Sequence, residues 1–338
     1  MRYIGLDVHK ENTTACVISA GGKALKNFEV PSSADGLTAI RDIMKDHEYC
    51  VMMESSTYTY PVFRFFSDLG IETYVVHARS LKMVTESTKK TDHHDAETIG
   101  IMLRLWKKKE IKGLSMSFIP TREQCELKDI CRYCEELSMK IGTEKRRIGS
   151  HLYRNCRTLP PEYDDLGTKK TRKYISETWP EDPTLQKRMK ELETLMKESK
   201  NVKEEVVSRL PEDDNVKLLE TIPGVAGLTG VQLMSMIIRI DRFPDPENFC
   251  SYFGMVPKVH DSGGKKYHGR MTKQGDKMMR AIMERVTSVH VMHCESSVTE
   301  YYRRKVKEMG VKKALITASR KMLTMIYAML RDRRPFKA

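Results

Sequence analysis

The sequence predicts an α/β domain followed by a mainly helical remainder, on three observations. Strand and helix patterns alternate through the first third; composition turns to Lys, Glu, Leu and Met from about Thr121 to Leu210; paired helix patterns return after Val216. In the first third, "RYIGLDVHK" and "NTTACVIS" are rich in β-formers and separated by a short polar turn, and "AGGK" leads into "ALKNFEV", making a three-stranded meander. "SADGLTAIRDIMKD" then sets Leu37, Ile40, Ile43 and Met44 at helical spacing behind a Ser/Asp cap, and "YCVMME" follows as a buried strand. A second helix, "YPVFRFFSDLG", stops at Gly70 before the strand "IETYVVH", so the predicted order is βββαβαβα.

The middle is helix-forming material with few aromatics. Leu185, Met189, Leu192, Met196, Ser199, Val202, Val206 and Leu210 lie near a four-three spacing with charges between them, which reads as a coiled-coil seam or one long packed helix. "RTLPPEYDDLGTKKTRKY" interrupts it with Pro, Gly and mixed charge, so two antiparallel helices joined by a loop are expected. The last third runs from "LLETIPGVAGLTGVQLMSMI", a helix, a Pro-Gly turn and a helix, through the glycine-rich "HDSGGKKYHGRMTKQG" to two closing helices. The expected domains are 1–115, a helical middle at 116–212, and 213–338.

Lys and Arg number 59 against 46 Asp and Glu, a formal charge of +13, which favours a polyanionic partner. Nucleic acid is the commonest such partner, although a membrane surface also attracts basic proteins. No apolar run of about eighteen residues is present, and "MRYIGLDVHK" has no signal-peptide core, so an intracellular protein without membrane spans is expected. The nearest cysteines, Cys125, Cys131 and Cys134, sit at helical spacing without a second CxxC or a histidine pair, and read as reduced thiols on a helix rather than a zinc site.

Three constellations could carry chemistry. Asp7 falls within the first strand and Glu54 at the end of a later one, where a carboxylate is either functional or an ordinary rim residue. Asp92 and Asp95, three apart in "KKTDHHDAETIG", share one helix face as a like-charge pair that a cation would relieve. Four hard oxygen donors suit magnesium, and two such ions can activate one oxygen and stabilise another across a phosphodiester. His93 and His94 point elsewhere on that helix and are poor magnesium ligands.

In "DSGGKKYHGRMTKQGDKMMR", Ser262 precedes two glycines and is either a presented nucleophile or a turn residue. Lys265, Lys266, Arg270, Lys273 and Arg280 supply phosphate-binding charge. In "IPGVAGLTG", the turn at Gly224 is either a helix-hairpin-helix that brings backbone N–H groups to a phosphate or a plain connection between helices.

These pieces, in this order, resemble the DEDD transposases of the one-hundred-and-ten insertion-sequence family, understood as bridge-RNA-guided serine recombinases. The resemblance rests on "YIGLDVHK", "KTDHHDA", "IPGVAGLTG", "FGMVPKVHDSGGKKYHGRMTKQGDKMMR" and the terminal "ASRKML". It implies a ribonuclease-H-like, RuvC-like N-terminal domain, a coiled-coil dimerisation region, and a mainly helical transposase domain with a helix-hairpin-helix-like segment. It further implies that Asp7, Glu54, Asp92 and Asp95 hold magnesium, two ions in number, and that Ser262 attacks a DNA phosphate to give a transient phosphoserine link. Donor and target DNA, a structured noncoding guide RNA, and a homodimer assembling to a tetramer would be the partners, in a prokaryotic cytoplasm near the nucleoid. Departures lie beside the acids: Ser55, Ser56 and Thr57 stand where the family has Thr-Gly, and His77 and Ala78 where Asn-Pro is usual. A RuvC-like metal-dependent nuclease that uses water is the competing enzyme reading, and a noncatalytic nucleic-acid binder the competing reading from another class.

Overall fold

The computed structural model describes residues 1–77, 92–210, 213–262, 265–272 and 274–338, with backbone alone for Asp92, 258–262 and 265–270. Ala78 and Lys273 therefore lie outside the described residues. The chain divides into two units, Met1–Ile119 and Pro120–Ala338.

In the first unit β1 (Arg2–Val8), β2 (Asn12–Ile18), β3 (Ala24–Pro31), α1 (Ala34–Ile43), β4 (Tyr49–Glu54), α2 (Thr59–Asp68), β5 (Thr73–Val76) and α3 (Asp92–Lys107) follow the expected order. The sheet order is β3-β2-β1-β4-β5, with β1, β2 and β3 antiparallel and β4 and β5 parallel to β1. This topology is consistent with a ribonuclease-H-like fold. Alternation along the central strands sorts side chains to two faces. Ile4, Leu6, Val51 and Met53 pack with Leu37 and Ile40 of α1 and Val62 and Phe66 of α2. Tyr3, Cys50 and Met52 pack with Ala96, Ile99, Met102 and Leu103 of α3.

Two glycines let α3 lie close on the sheet. A Cβ on Gly5 would fall 2.0 Å from the Ala96 carbonyl oxygen, and one on Gly100 would fall 2.7 Å from Ile18 Cγ1. The far end of α3 is tied by Arg104, whose Nε donates to the Ala20 carbonyl at 2.9 Å, and by Trp106, edge-on to Tyr74 at 5.0 Å. Those partners sit at the N-terminal ends of β1 and β5, so α3 runs antiparallel to them and its first turn lies at their C-terminal ends. Gly5→Ala is expected to lower stability by about 3 kcal/mol, because the clash is with helix backbone; denaturant unfolding measures it.

In the second unit, α4 (Arg122–Arg154) starts from a Thr121/Gln124 capping box, and α6 (Pro183–Ser208) from Asp182 with proline in its first turn. They pack antiparallel. Cys131 and Cys134 lie in one cluster with Val206, whereas Ile148 and Leu152 lie in another with Leu185, Met189 and Leu192. The predicted seam is thus filled within the chain, and buried Glu144 crosses it to Arg188 at 2.8 Å. The connection predicted as a loop contains a helix, α5 (Lys169–Thr178), capped by Thr168. Its Ile175 closes the core where the Pro-Pro and Gly residues had suggested irregular chain. Burial pushes the Cys131 thiol up to about 11, as expected for a packed, protonated thiol.

The remainder is α7 (Asp214–Glu220), α8 (Gly227–Ile237), α9 (Pro246–Tyr252), β6 (Pro257–Ser262), β7 (Lys265–Met271), α10 (Lys277–His293), α11 (Ser297–Met309) and α12 (Val311–Asp332). Two differences from expectation stand out. The glycine-rich segment, to which no element was assigned, carries a two-stranded antiparallel hairpin, and three helices rather than two follow it, because Ser296 caps α11 and Gly310 (φ 79°) separates α11 from α12. Among the described residues no helix is long and apolar enough to cross a membrane.

Candidate catalytic and nucleic-acid site

The parallel pairing of β1 with β4 ends at Leu6 opposite Met53, so Asp7 and Glu54 stand next to each other, one residue further along neighbouring strands. By alternation both belong to the face of Tyr3, Cys50 and Met52, the face that α3 covers. Asp7 is held in place locally. The turn after it is closed by His9 N–H donating to the Asn12 carbonyl, and by the Ser32 hydroxyl donating to the His9 carbonyl at 2.8 Å. The Asp7 side chain is 17% exposed, and His9 Nε2 sits 3.1 Å from its Oδ2. Sequence reasoning passed over His9, although its i+2 position puts it on the same face as Asp7.

Glu54 is fixed through its backbone by a buried threonine. The Thr59 hydroxyl donates to the Glu54 carbonyl at 3.2 Å and accepts from the Ser56 N–H at 2.7 Å. This is how the Ser55-Ser56-Thr57 departure is accommodated, with Ser55 N–H donating to Val76 O. Asp95 lies half-buried in the first turn of α3, just ahead of the buried Ala96 that meets Gly5. Asp92 is the first residue of α3; its side chain lies outside the described residues, and His93 is exposed.

Two carboxylate-bearing strand ends and the start of an aspartate-bearing helix thus converge on one end of the sheet. In donor chemistry they fit a hard divalent cation, being carboxylates without thiolate. Among the described residues no three His, Cys, Asp or Glu side chains are gathered as a metal cluster. The convergence therefore stands on strand register and helix direction.

Ser262 is the last residue of β6 and pairs with Lys265, which leaves Gly263 and Gly264, outside the described residues, as the connection. Asp261 pairs with Lys266, and Arg270 lies near the end of β7. Of the basic residues expected to meet phosphate, Arg280 has a fully described side chain. Its Nη1 donates to the carbonyls of Phe253, Gly275 and Asp276 at 3.2, 3.0 and 3.2 Å.

Gly224 adopts φ 102°, and a Cβ there would come within 3.1 Å of the Val286 carbonyl on α10. The glycine is therefore required by the close approach of the α7–α8 turn to α10. His290 on α10 is wholly buried; its Nδ1–H donates to the Pro223 carbonyl at 3.0 Å, and its Nε2 accepts from Ser296 Oγ at 2.8 Å. Ser296 in turn accepts from Val298 and Thr299 N–H. Burial holds the His290 imidazole below its ordinary range. The folded state thus takes up a proton less readily than the unfolded chain, and its stability falls as pH drops below about 6.5. Thermal melts should show this fall, and His290→Gln should flatten it while lowering stability at neutral pH.

The transposase model of the DEDD IS110 type matches residues 4–156, and the model described as the IS116/IS110/IS902 transposase family matches residues 216–303. Both matches are to transposases of the IS110/IS116/IS902 kind. The first match spans Asp7, Glu54, Asp92 and Asp95, and the second spans Gly224, Ser262 and Arg280. Similarity to individual proteins runs along the chain. The transposase for insertion sequence element IS1111A of Coxiella burnetii is 22% identical over 98% of this chain and 90% of that protein. The transposase for insertion sequence element IS1533 of Leptospira borgpetersenii is 24% identical over 47% of this chain and 45% of its own. The pilin gene-inverting protein of Moraxella lacunata is 29% identical over 35% of this chain and 38% of its own.

Proposed function

We propose that this chain is a DNA transposase that cuts and rejoins strands through a phosphoserine link, with magnesium held by Asp7, Glu54, Asp92 and Asp95 and with Ser262 as nucleophile. The observation that carries the reading is the adjacency of Asp7 and Glu54 on parallel strand ends, one residue past Leu6 and Met53, with the start of α3 at the same end. Magnesium there, as one ion or two, would supply charge neutralisation at a phosphodiester. His9 and the Thr59 cap hold the two acids in position from the protein side.

The chemistry conserves bond energy. As the Ser262 oxygen bonds to phosphorus, the bond from phosphorus to a sugar oxygen breaks, the serine proton is released, and the sugar oxygen takes one up; attack by another strand's hydroxyl reverses the exchange. One phosphoester replaces another, so no ATP is consumed. The excess basic charge, with Lys265, Lys266 and Arg270 on β7 and Lys273 following in the sequence, suits donor and target DNA. It also suits a structured guide RNA that selects sequence by base pairing while the protein reads backbone shape. Self-association as a dimer assembling to a tetramer completes the reading, within a prokaryotic cytoplasm near the nucleoid.

The test is strand cleavage by the purified chain on DNA carrying the ends of its element, with and without the flanking noncoding RNA. Cleavage that needs magnesium and that RNA supports the reading. Equal cleavage in EDTA rules out the metal site, and hydrolysis to free phosphate ends favours the water-using nuclease.

A further inference from the structure

The β6–β7 hairpin is joined to the body of its unit at a narrow neck. The chain enters through Tyr252–Val256 and leaves by way of Thr272 and 274–276, and Thr272 N–H donates to the Val256 carbonyl at 3.0 Å. At the neck the two segments cross with almost no space between their backbones. A Cβ on Gly254 (φ 67°) would fall 1.7 Å from the Gln274 carbonyl oxygen, and one on Gly275 (φ 97°) would fall 2.1 Å from that of Tyr252.

Arg280, one turn into α10, reaches back to this crossing. Its Nη1 collects a carbonyl from the entering segment, Phe253, and two from the leaving segment, Gly275 and Asp276. Asp276 is itself anchored: its carboxylate accepts from Met278 N–H at 2.9 Å as the α10 cap, and from Arg132 Nη2 of α4 at 2.9 Å, with Lys128 at 3.5 Å.

We propose that Arg280 is a positioning residue that locks the neck of the hairpin and so sets where the paired strand ends Ser262 and Lys265 lie, rather than a contact to phosphate. A guanidinium is suited to this because its fixed donors can bridge carbonyls of two strands at once, and carbonyls gathered round a cation repel one another less. The Gly-Asp-x-x-x-Arg run of the sequence thereby acquires one role: Gly275 permits the crossing, Asp276 ties it to α4 and α10, and Arg280 closes it. The consequence for catalysis rests on the reading of Ser262 as nucleophile; the positioning itself does not.

Two measurements on the full chain, with Arg280→Gln and Arg280→Lys, test it. In hydrogen exchange, Arg280→Gln should speed exchange of the β6 and β7 amides by about tenfold while α12 keeps its protection. Arg280→Lys, which keeps a charged donor, should recover part of the protection. In DNA binding, the slope of log affinity against log salt should match wild type, whereas loss of a phosphate contact would reduce it by about one. Unchanged hairpin exchange in Arg280→Gln overturns the proposal, and so does a reduced salt slope. Formation of a serine-linked DNA adduct by wild type decides the role of Ser262 separately, because the exchange experiment reads the hairpin whether or not that link forms.

Discussion

Ser262→Ala is expected to bind element-end DNA with unchanged affinity and to lose strand exchange by roughly 10⁴-fold or more, the scale on which deletion of a nucleophile is felt. The structure makes this a clean substitution. Ser262 ends β6 and is paired through its backbone with Lys265 across a connection of two residues, so removing a hydroxyl leaves the ladder intact. Alanine is tolerated at such a strand position, and the neck formed by Gly254, Gly275 and Arg280 lies at the other end of the hairpin. Cleavage kinetics under single-turnover conditions separate binding from chemistry. If the variant cleaved at the wild-type rate, the serine would be an ordinary turn residue and the water-using nuclease would be the better account.

The second large effect falls on the strand-end acids. Asp7→Asn and Glu54→Gln should each lower the cleavage rate by at least about 100-fold, comparable with loss of a preorganised charge-stabilising group. They should also abolish magnesium-dependent changes in thermal stability. A carboxylate that served only as a strand cap would lose stability on substitution and leave cleavage unchanged.

The order of elements in the first unit was legible because its strands are apolar or alternating and α1 is capped by Ser33, as "YCVMME" and "SADGLTAIRDIMKD" show. What periodicity could not convey is how closely α3 lies on β1. Gly5 and Gly100 look like weak points in a strand and a helix, and only the paired distances show that each makes room for the other element. The β6–β7 hairpin was missed for a physical reason: its strands carry Lys, His, Asp and Gly, and so offer no apolar alternation to read. The helix α5 was hidden behind Pro160, Pro161 and Gly167, although the capping Thr168 was in plain view.

The candidate site was legible as residue types rather than as contacts. Asp7 was recognisable as a carboxylate within a strand and Glu54 as one at a strand end, yet their adjacency needed the Leu6–Met53 register. Arg280 was grouped with phosphate-binding residues because it closes a basic run, whereas its Nη1 is spent on three carbonyls of its own chain. His290 gave no signal, since a histidine on an amphipathic helix reads as surface until its two partners, Pro223 and Ser296, are seen.

The central claim is that Ser262 carries the DNA strand between cleavage and rejoining. The most direct measurement is to react the full chain with element-end DNA and magnesium, denature it, digest the DNA, and locate the nucleotide remnant by peptide mass spectrometry. The account predicts a phosphodiester remnant on Ser262, present in wild type and absent when Asp7 is replaced by Asn. A remnant on another residue, or complete cleavage with no remnant at all, would contradict it.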